Sequence, residues 1–374
     1  MKVALVHDWL TGMRGGEKVL EVFCELFPEA KLFTLLHRKG SVSSTIEAMD
    51  IETSFLQSMP FIFKKYRHFL PLFPVAIESF DAREYDLIIS SSHCVALGII
   101  TRPSSCHICY CFTPIRYGWD MYQDYFGPSN GRGLAKFLIP FFLNRLRCWD
   151  VTASHRVDAF VAISQHVAQR IKKFYRRDSR VIYPPVSADR FEINPKQGDF
   201  FLIVSALSPY KRLDIAIEAF NQLEQNLIII GDGPLYNQLR EQANSTISFL
   251  GWQPDEVVAE YFARCQGFLF CGEEDFGITV LEANAAGRPV IAYRAGGALE
   301  TIIEGETGLF FDEQSPASLM KAIEKFDPLD YDPVKIRERA LLFDRTHFKN
   351  TVADYIFQTY ERYLKKEFDC VETT

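Results

Sequence analysis

Along this chain, short runs of apolar, largely β-branched residues alternate with stretches in which apolar positions recur at helical spacing. The runs are "KVALVHDW", "YDLIISS", "HICYCF", "AFVAIS", "FFLIVSAL", "NLIIIGDG", "GFLFCG" and "RPVIAY". Helical stretches follow at "GGEKVLEVFCELF", "QHVAQRIKKFY", "RLDIAIEAFNQL", "DEVVAEYFARC" and "TVLEANAAG". Strand, turn and helix in repeated succession predict an α/β protein with parallel sheets covered on both faces. A break falls at "VIYPPVSADRFEINPKQGDF": paired prolines, a polar stretch and Gly198 read as an extended linker before a new strand. Two doubly wound domains follow from that reading, residues 1–185 and 195–345. The segment "FKNTVADYIFQTYERYLKKE" predicts an amphipathic helix within 346–374 that is free to pack back on the first domain.

Length agrees with two domains, since 374 residues exceed what one hydrophobic core serves well. The net charge of −7 argues against a nucleic-acid partner held by bulk positive charge. The apolar run at the N-terminus is interrupted by His7 and Asp8 and reads as a buried strand, not a signal peptide. No window approaches the roughly 20 apolar residues of a spanning helix, so the expectation is a chain that does not cross a bilayer. Nine cysteines, an odd number, point to a reducing compartment and free thiols. Cys106, Cys109 and Cys111 flank His107 but have no second ligand pair at a matching interval, so they read as a buried strand and no metal is expected.

In a doubly wound fold, ligands gather where strand carboxyl ends meet helix N-termini. "GFLFCGEEDFGITVLEANAAG" runs strand, loop, helix, with the helix starting near Gly277 or Ile278. The amides of Gly277, Ile278, Thr279 and Val280 would then be orphan donors at the positive end of the helix, an anion site. Glu274 lies just outside that helix and Glu282 about one turn in, so two carboxylates could take hydroxyls on either side of a bound anion. A surface acid or cap at Glu274 and a solvated Glu282 are the plainer alternative. Lys211 and Arg212 stand where another strand gives way to a helix, as counter-charges for a diphosphate or as a solvated helix start. Gly15 and Gly16 form a glycine turn after the first strand, without the full dinucleotide spacing. "IIIGDGPL" lacks the third glycine as well, and Gly296 and Gly297 form a further pair. Arg116, Tyr117, Trp119 and Asp120 crowd one loop, suited to a sugar or acceptor head group, or simply packed. Asp330 and Asp332, bracketed by prolines, read as a surface turn. Segments 60–74, with Lys64, Lys65, Arg67 and His68, and 133–149 mix basic and aromatic residues, favourable at a bilayer surface; core burial fits the second equally well.

The stretch "EEDFGITVLEANAAGRPVIAYRAGGALETI", with "PYKRLDIAIEAF", "GDGPL" and "FLGWQPDEV", resembles the nucleotide-sugar glycosyltransferases of family 4, and among them the bacterial mannosyltransferases of O-antigen and exopolysaccharide synthesis. That resemblance implies the GT-B fold, two Rossmann-like domains facing a cleft. It implies that Glu274, with backbone help from Phe276, Gly277 and Ile278, binds donor-sugar hydroxyls. Glu282 would take the ribose, and Trp252 would lie near the base. Lys211, Arg212 and the amides of Gly15, Gly16, Thr279 and Val280 would surround the diphosphate. Two residues depart from the pattern: Phe112 stands where many relatives carry His before Thr-Pro, and Ala206 where many carry Arg. The expected function is retaining transfer of a hexose, mannose from GDP-mannose, to a lipid-linked saccharide at the inner face of the cytoplasmic membrane, without metal or other cofactor. A nucleotide-sugar epimerase, a UDP-sugar transferase and a non-catalytic binding module are the alternatives. Oligomeric state is not legible.

Overall fold

Two parallel sheets organise the chain. The computed structural model describes residues 1–122 and 135–371, and it divides into Met1–Pro184 with Phe348–Thr374 as one unit and Pro185–His347 as the other.

In the first unit, β1 (Val3–His7), β2 (Lys31–Thr34), β3 (Asp50–Thr53), β4 (Leu87–Ser92), β5 (Cys106–Cys111), β6 (Ala159–Ala162) and β7 (Ser179–Val181) lie in the order β3-β2-β1-β4-β5-β6-β7. Every neighbouring pair is parallel. All six residues of β4 and all six of β5 are buried, which puts three serines, Ser90 to Ser92, inside the sheet. Each is satisfied, as buried polar groups must be: Ser90 Oγ lies 2.8 Å from His107 Nε2, Ser91 Oγ 2.7 Å from His7 Nδ1, and Ser92 Oγ accepts the Leu97 amide at 3.3 Å. "CHICYC" is thus a central strand. Among the described residues, no three His, Cys, Asp or Glu are grouped to hold a metal. Segment 60–74 folds into short helical turns that bury Ile62 and Phe73 in the core while leaving Phe61 exposed; the side chains of Lys65 and Arg67 lie outside those described. The second basic-aromatic segment begins at 133–134, outside the described residues, and continues in the helix Ala135–Ser154, which buries Leu143 and Leu146.

The last helix, Arg345–Val371, returns to this unit. Phe348 packs its ring on Phe23 and Tyr110, Phe357 meets Phe27, and Lys349 Nζ reaches Glu25 at 2.9 Å. Residues 372–374 of the expected helix lie outside the described ones.

The second unit orders β8 (Phe200–Val204), β9 (Asn226–Ile230), β10 (Ile247–Gly251), β11 (Phe268–Phe270), β12 (Val290–Tyr293) and β13 (Gly308–Phe311) as β10-β9-β8-β11-β12-β13, again parallel. Because side chains alternate along a strand, Phe201 and Ile203 feed one core and Phe200 and Leu202 the other. Both faces are therefore apolar. From Pro185 on, the stretch read as an extended linker belongs to this unit. A 3-10 turn at Ala188–Arg190 buries Ala188, and Phe191 packs on Phe262, while Arg337 donates to the Phe191 carbonyl at 2.5 Å and the Ala188 carbonyl at 3.2 Å. Two apolar side chains and a half-buried guanidinium hold this stretch against the second unit. Among the described residues no helix is long and apolar enough to cross a membrane.

Candidate functional site

In the second unit, loops at the carboxyl ends of β8, β11 and β12 press backbone on backbone. A Cβ on Gly272 would come within 2.7 Å of the Tyr210 carbonyl oxygen. One on Gly296 or Gly297 would run into the main chain of Glu274 or Phe276, and the Gly297 amide donates to the Glu274 carbonyl at 2.8 Å. The pair Gly296–Gly297 therefore fixes residues 274–276 in place. Gly231 likewise abuts the Ser205 carbonyl, and Gly233 the backbone of Leu207. These glycines serve loop-to-loop contact.

That clamping sets Glu274 against Lys211, 63 positions away in sequence. Lys211 ends a 3-10 turn, Pro209–Lys211, and its ammonium forms an ion pair with the Glu274 carboxylate; both side chains are less than one-fifth exposed. The Lys211 Nζ also sits 5.2 Å from the centre of the Tyr210 ring. Ser205, Lys211, Gly272 and Glu274 line one small hollow above Ile203 and Phe270. A cation and a carboxylate this close leave each with donor or acceptor capacity to spare, since an ammonium has three donors and a carboxylate about four acceptor sites.

The helix begins at Ile278 and runs to Ala285, with Gly277 as its cap at φ 82°. That left-handed backbone suits glycine, and a Cβ there would lie 2.8 Å from the Phe270 ring. By helix geometry the amides of Ile278 and Thr279 have no carbonyl one turn back. The expectation for Val280 is corrected: its amide already donates to the Gly277 carbonyl at 3.0 Å, because the first turn tightens. Glu282 is half-buried on the same helix. The Phe276 ring is buried against Phe343, so only its backbone is available to a ligand. Trp252, just after β10, is 74% exposed. Arg212 is turned aside: its guanidinium donates to Asp214 at 3.1 Å and to Gln314 at 3.2 Å. Asp330 ends an exposed 3-10 turn and Asp332 caps the helix Pro333–Leu341.

In the first unit, Gly15 and Gly16 open the helix Gly15–Leu26, whose cap is closed by Glu17 accepting the Arg14 amide at 3.0 Å. The residues of loop 116–120 are tied down by side-chain contacts. Tyr117 Oη lies 2.8 Å from Cys94 Sγ, Trp119 stacks on Phe174 and donates its indole N–H to Asp150 at 2.8 Å, and Asp120 pairs with buried Arg170 at 2.5 Å. Arg116 starts the short turn that carries them. Burial pushes the Asp150 carboxyl up to about 7, although hydrogen bonds from Trp119 and Tyr175 pull the other way. The sequence reading passed over His7, Asp8 and His93, which meet at the carboxyl ends of β1 and β4. The available signal was polarity where a buried strand should stay apolar, in "VHDW" and "SSSHCVA".

Comparison with known proteins follows this division. The sequence profile described as "Glycosyl transferases group 1" matches residues 187–340. An uncharacterized glycosyltransferase of Methanocaldococcus jannaschii is 31% identical over 178 residues, 46% of this chain and 50% of that protein. The O-antigen chain mannosyltransferase C of Escherichia coli is 28% identical over 158 residues, 37% of this chain and 43% of that one. The chain thus spans about half the length, or less, of these curated relatives. Across nearly the whole chain the fold matches that of Anabaena HepE, solved in complex with UDP: TM-score 0.68, 17% identity, covering 96% of this chain and 100% of that one. At that identity the likeness shows the fold, the two-sheet GT-B architecture.

Proposed function

We propose, from the match of residues 187–340 to the group 1 glycosyl transferase profile, that the chain moves a hexose from a nucleotide-diphosphate sugar to a saccharide acceptor, with retention at the transferred carbon. The observation that carries this reading is the Lys211–Glu274 ion pair beside the N-terminus of the helix Ile278–Ala285. A diphosphate needs fixed positive partners as charge builds on it in the transition state, and donors that are already positioned are worth most there. Lys211 and the amides of Ile278 and Thr279 supply them, so the leaving group requires no metal. On donor arrival Glu274 exchanges the ammonium for sugar hydroxyls, Glu282 takes the ribose, and exposed Trp252 offers a ring to the base. With Arg212 engaged by Asp214 and Ala206 lacking a charge, Lys211 carries most of this stabilisation.

GDP-mannose is the proposed donor and a lipid-linked saccharide at the inner face of the membrane the acceptor. The E. coli relative, named as an O-antigen chain mannosyltransferase, supports mannose; the UDP in HepE supports a uridine nucleotide instead. A thermal-shift panel of GDP-, UDP-, ADP- and dTDP-sugars separates them, because a ligand that binds only the folded state raises the midpoint. A shift confined to GDP-mannose is expected. A shift confined to UDP-sugars replaces the donor, and no shift with any nucleotide overturns the reading.

A further inference from the structure

We propose that His93, oriented by Asp8, is the hydrogen-bond acceptor of a hydroxyl-binding site in the first unit, shaped for a sugar ring; that this sugar belongs to the acceptor saccharide rests on the transferase reading above. Asp8 follows β1 and is fully buried. Its Oδ2 accepts the amides of His93 at 2.7 Å and Cys94 at 3.0 Å, and its Oδ1 those of Val95 at 2.7 Å and Ala96 at 2.8 Å. Four amides hold the carboxylate plane. The same Oδ2 lies 3.0 Å from His93 Nδ1. A carboxylate that accepts from Nδ1–H leaves Nε2 of a neutral imidazole with its lone pair, an acceptor. About a third of the His93 side chain is open to solvent. Burial of the ring pushes its pKa below the usual imidazole value, against the pull of Asp8.

The surroundings select the ligand. Trp9 meets the imidazole edge-on at 4.5 Å between ring centres, and Phe112 stands 6.2 Å away. Beside them His7 is held through Nδ1 by Ser91, while its buried Nε2 has no hydrogen-bond partner and lies 3.9 Å from Glu17 Oε1. A Cβ on Gly16 would sit 3.4 Å from Phe112 and 3.6 Å from His7, so the glycine turn borders the same group. Two carboxylates, Asp8 and Glu17, make the place poor for a phosphate. Aromatic walls with an imidazole acceptor suit a neutral polyol. The sheet order reverses between β1 and β4, the position in such sheets where a crevice opens outside the strand ends.

The test uses the full chain and three probes, octyl α-D-mannoside, octyl β-D-glucoside and octyl β-D-galactoside, with binding followed by ligand-observed NMR. His93→Phe keeps a ring between Trp9 and Phe112 but removes the acceptor; His93→Gln serves as a second variant, and melting curves check that both fold. At least one glycoside should bind the native chain, about tenfold more weakly in both variants, the usual worth of one hydrogen bond. GDP and UDP affinities should be unchanged by either substitution. Native affinity should also fall as pH is lowered and the imidazole, facing His7 of β1 and Asp8 just after it, the helix cap Arg14 and Glu17 of the first helix, takes a proton. A merely structural histidine would not impose that dependence. No glycoside binding to the native chain, or equal binding in the variants, overturns the site. Glycoside binding that behaves as expected in a chain that binds no nucleotide sinks the transferase reading and leaves the site standing.

Discussion

Asp150 and His107, both fully buried, show how far burial moves a side chain from its ordinary titration. Asp150 holds its proton to about 7, whereas an unfolded chain releases it near 3.8. Between those values the folded state binds the extra proton, so stability falls as pH rises through that window and levels off above it. His107, pushed down to about 3 by desolvation with help from Arg156, works the other way: between 3 and 6.5 the unfolded chain binds the proton, and stability rises with pH. The two slopes oppose each other over most of the acid range. Asp150→Asn still accepts from Trp119 and Tyr175 but cannot ionise. Its melting temperature relative to the native chain should therefore be more favourable at pH 8 than at pH 4; an equal difference at both would reject the buried-acid account. For Lys211→Ala the expectation is kinetic, a loss of about a hundredfold in turnover on the proposed donor. Unchanged turnover would remove Lys211 from the site. The sequence supplied Lys211, Glu274 and Glu282 through their places at strand ends. It named Arg212 beside Lys211 but did not show that Asp214, two residues on, captures its guanidinium, nor that Asp8 pairs with His93, 85 positions away.

At the scale of elements, the helices read from the sequence are amphipathic segments and the strands read are the continuous apolar runs, while the helix Ala135–Ser154 was not read as one. The five strands that escaped, β2, β3, β7, β10 and β13, are three to five residues long. β3, "DIET", is an edge with alternate residues exposed, and β7, "SRV", carries a single apolar residue. Length does not set them apart, since β6, β11 and β12 are as short and were legible; pairing with a neighbour decides their state. Loops show the same dependence. In the sequence Gly297 is only the second of a glycine pair, yet its lack of a Cβ lets Phe276 pack directly upon it. Gly297→Ala should therefore destabilise the chain by about 1–3 kcal/mol through overpacking, measured by urea denaturation, and should lower nucleotide affinity by displacing Glu274. A variant as stable as the parent would show that the loop yields freely.

For the molecule as a whole, the chain crosses between its units twice, after Pro184 and again after His347. Each unit has its own sheet and its own core, so full-chain calorimetry should show two transitions, with the proposed nucleotide raising only that of Pro185–His347. A single transition raised as one would mean that the units unfold together. The sequence by itself determined the alternation of strand and helix, hence parallel sheets buried on both faces, and it placed the chemistry-bearing motifs at strand carboxyl ends; these follow from local periodicity and from what each segment must bury. Tertiary structure alone decided that residues 185–199 join the second core, that Lys211 meets Glu274, and that Asp8 orients His93. Those outcomes depend on which distant segments become neighbours and at what register, and no window of sequence contains that information.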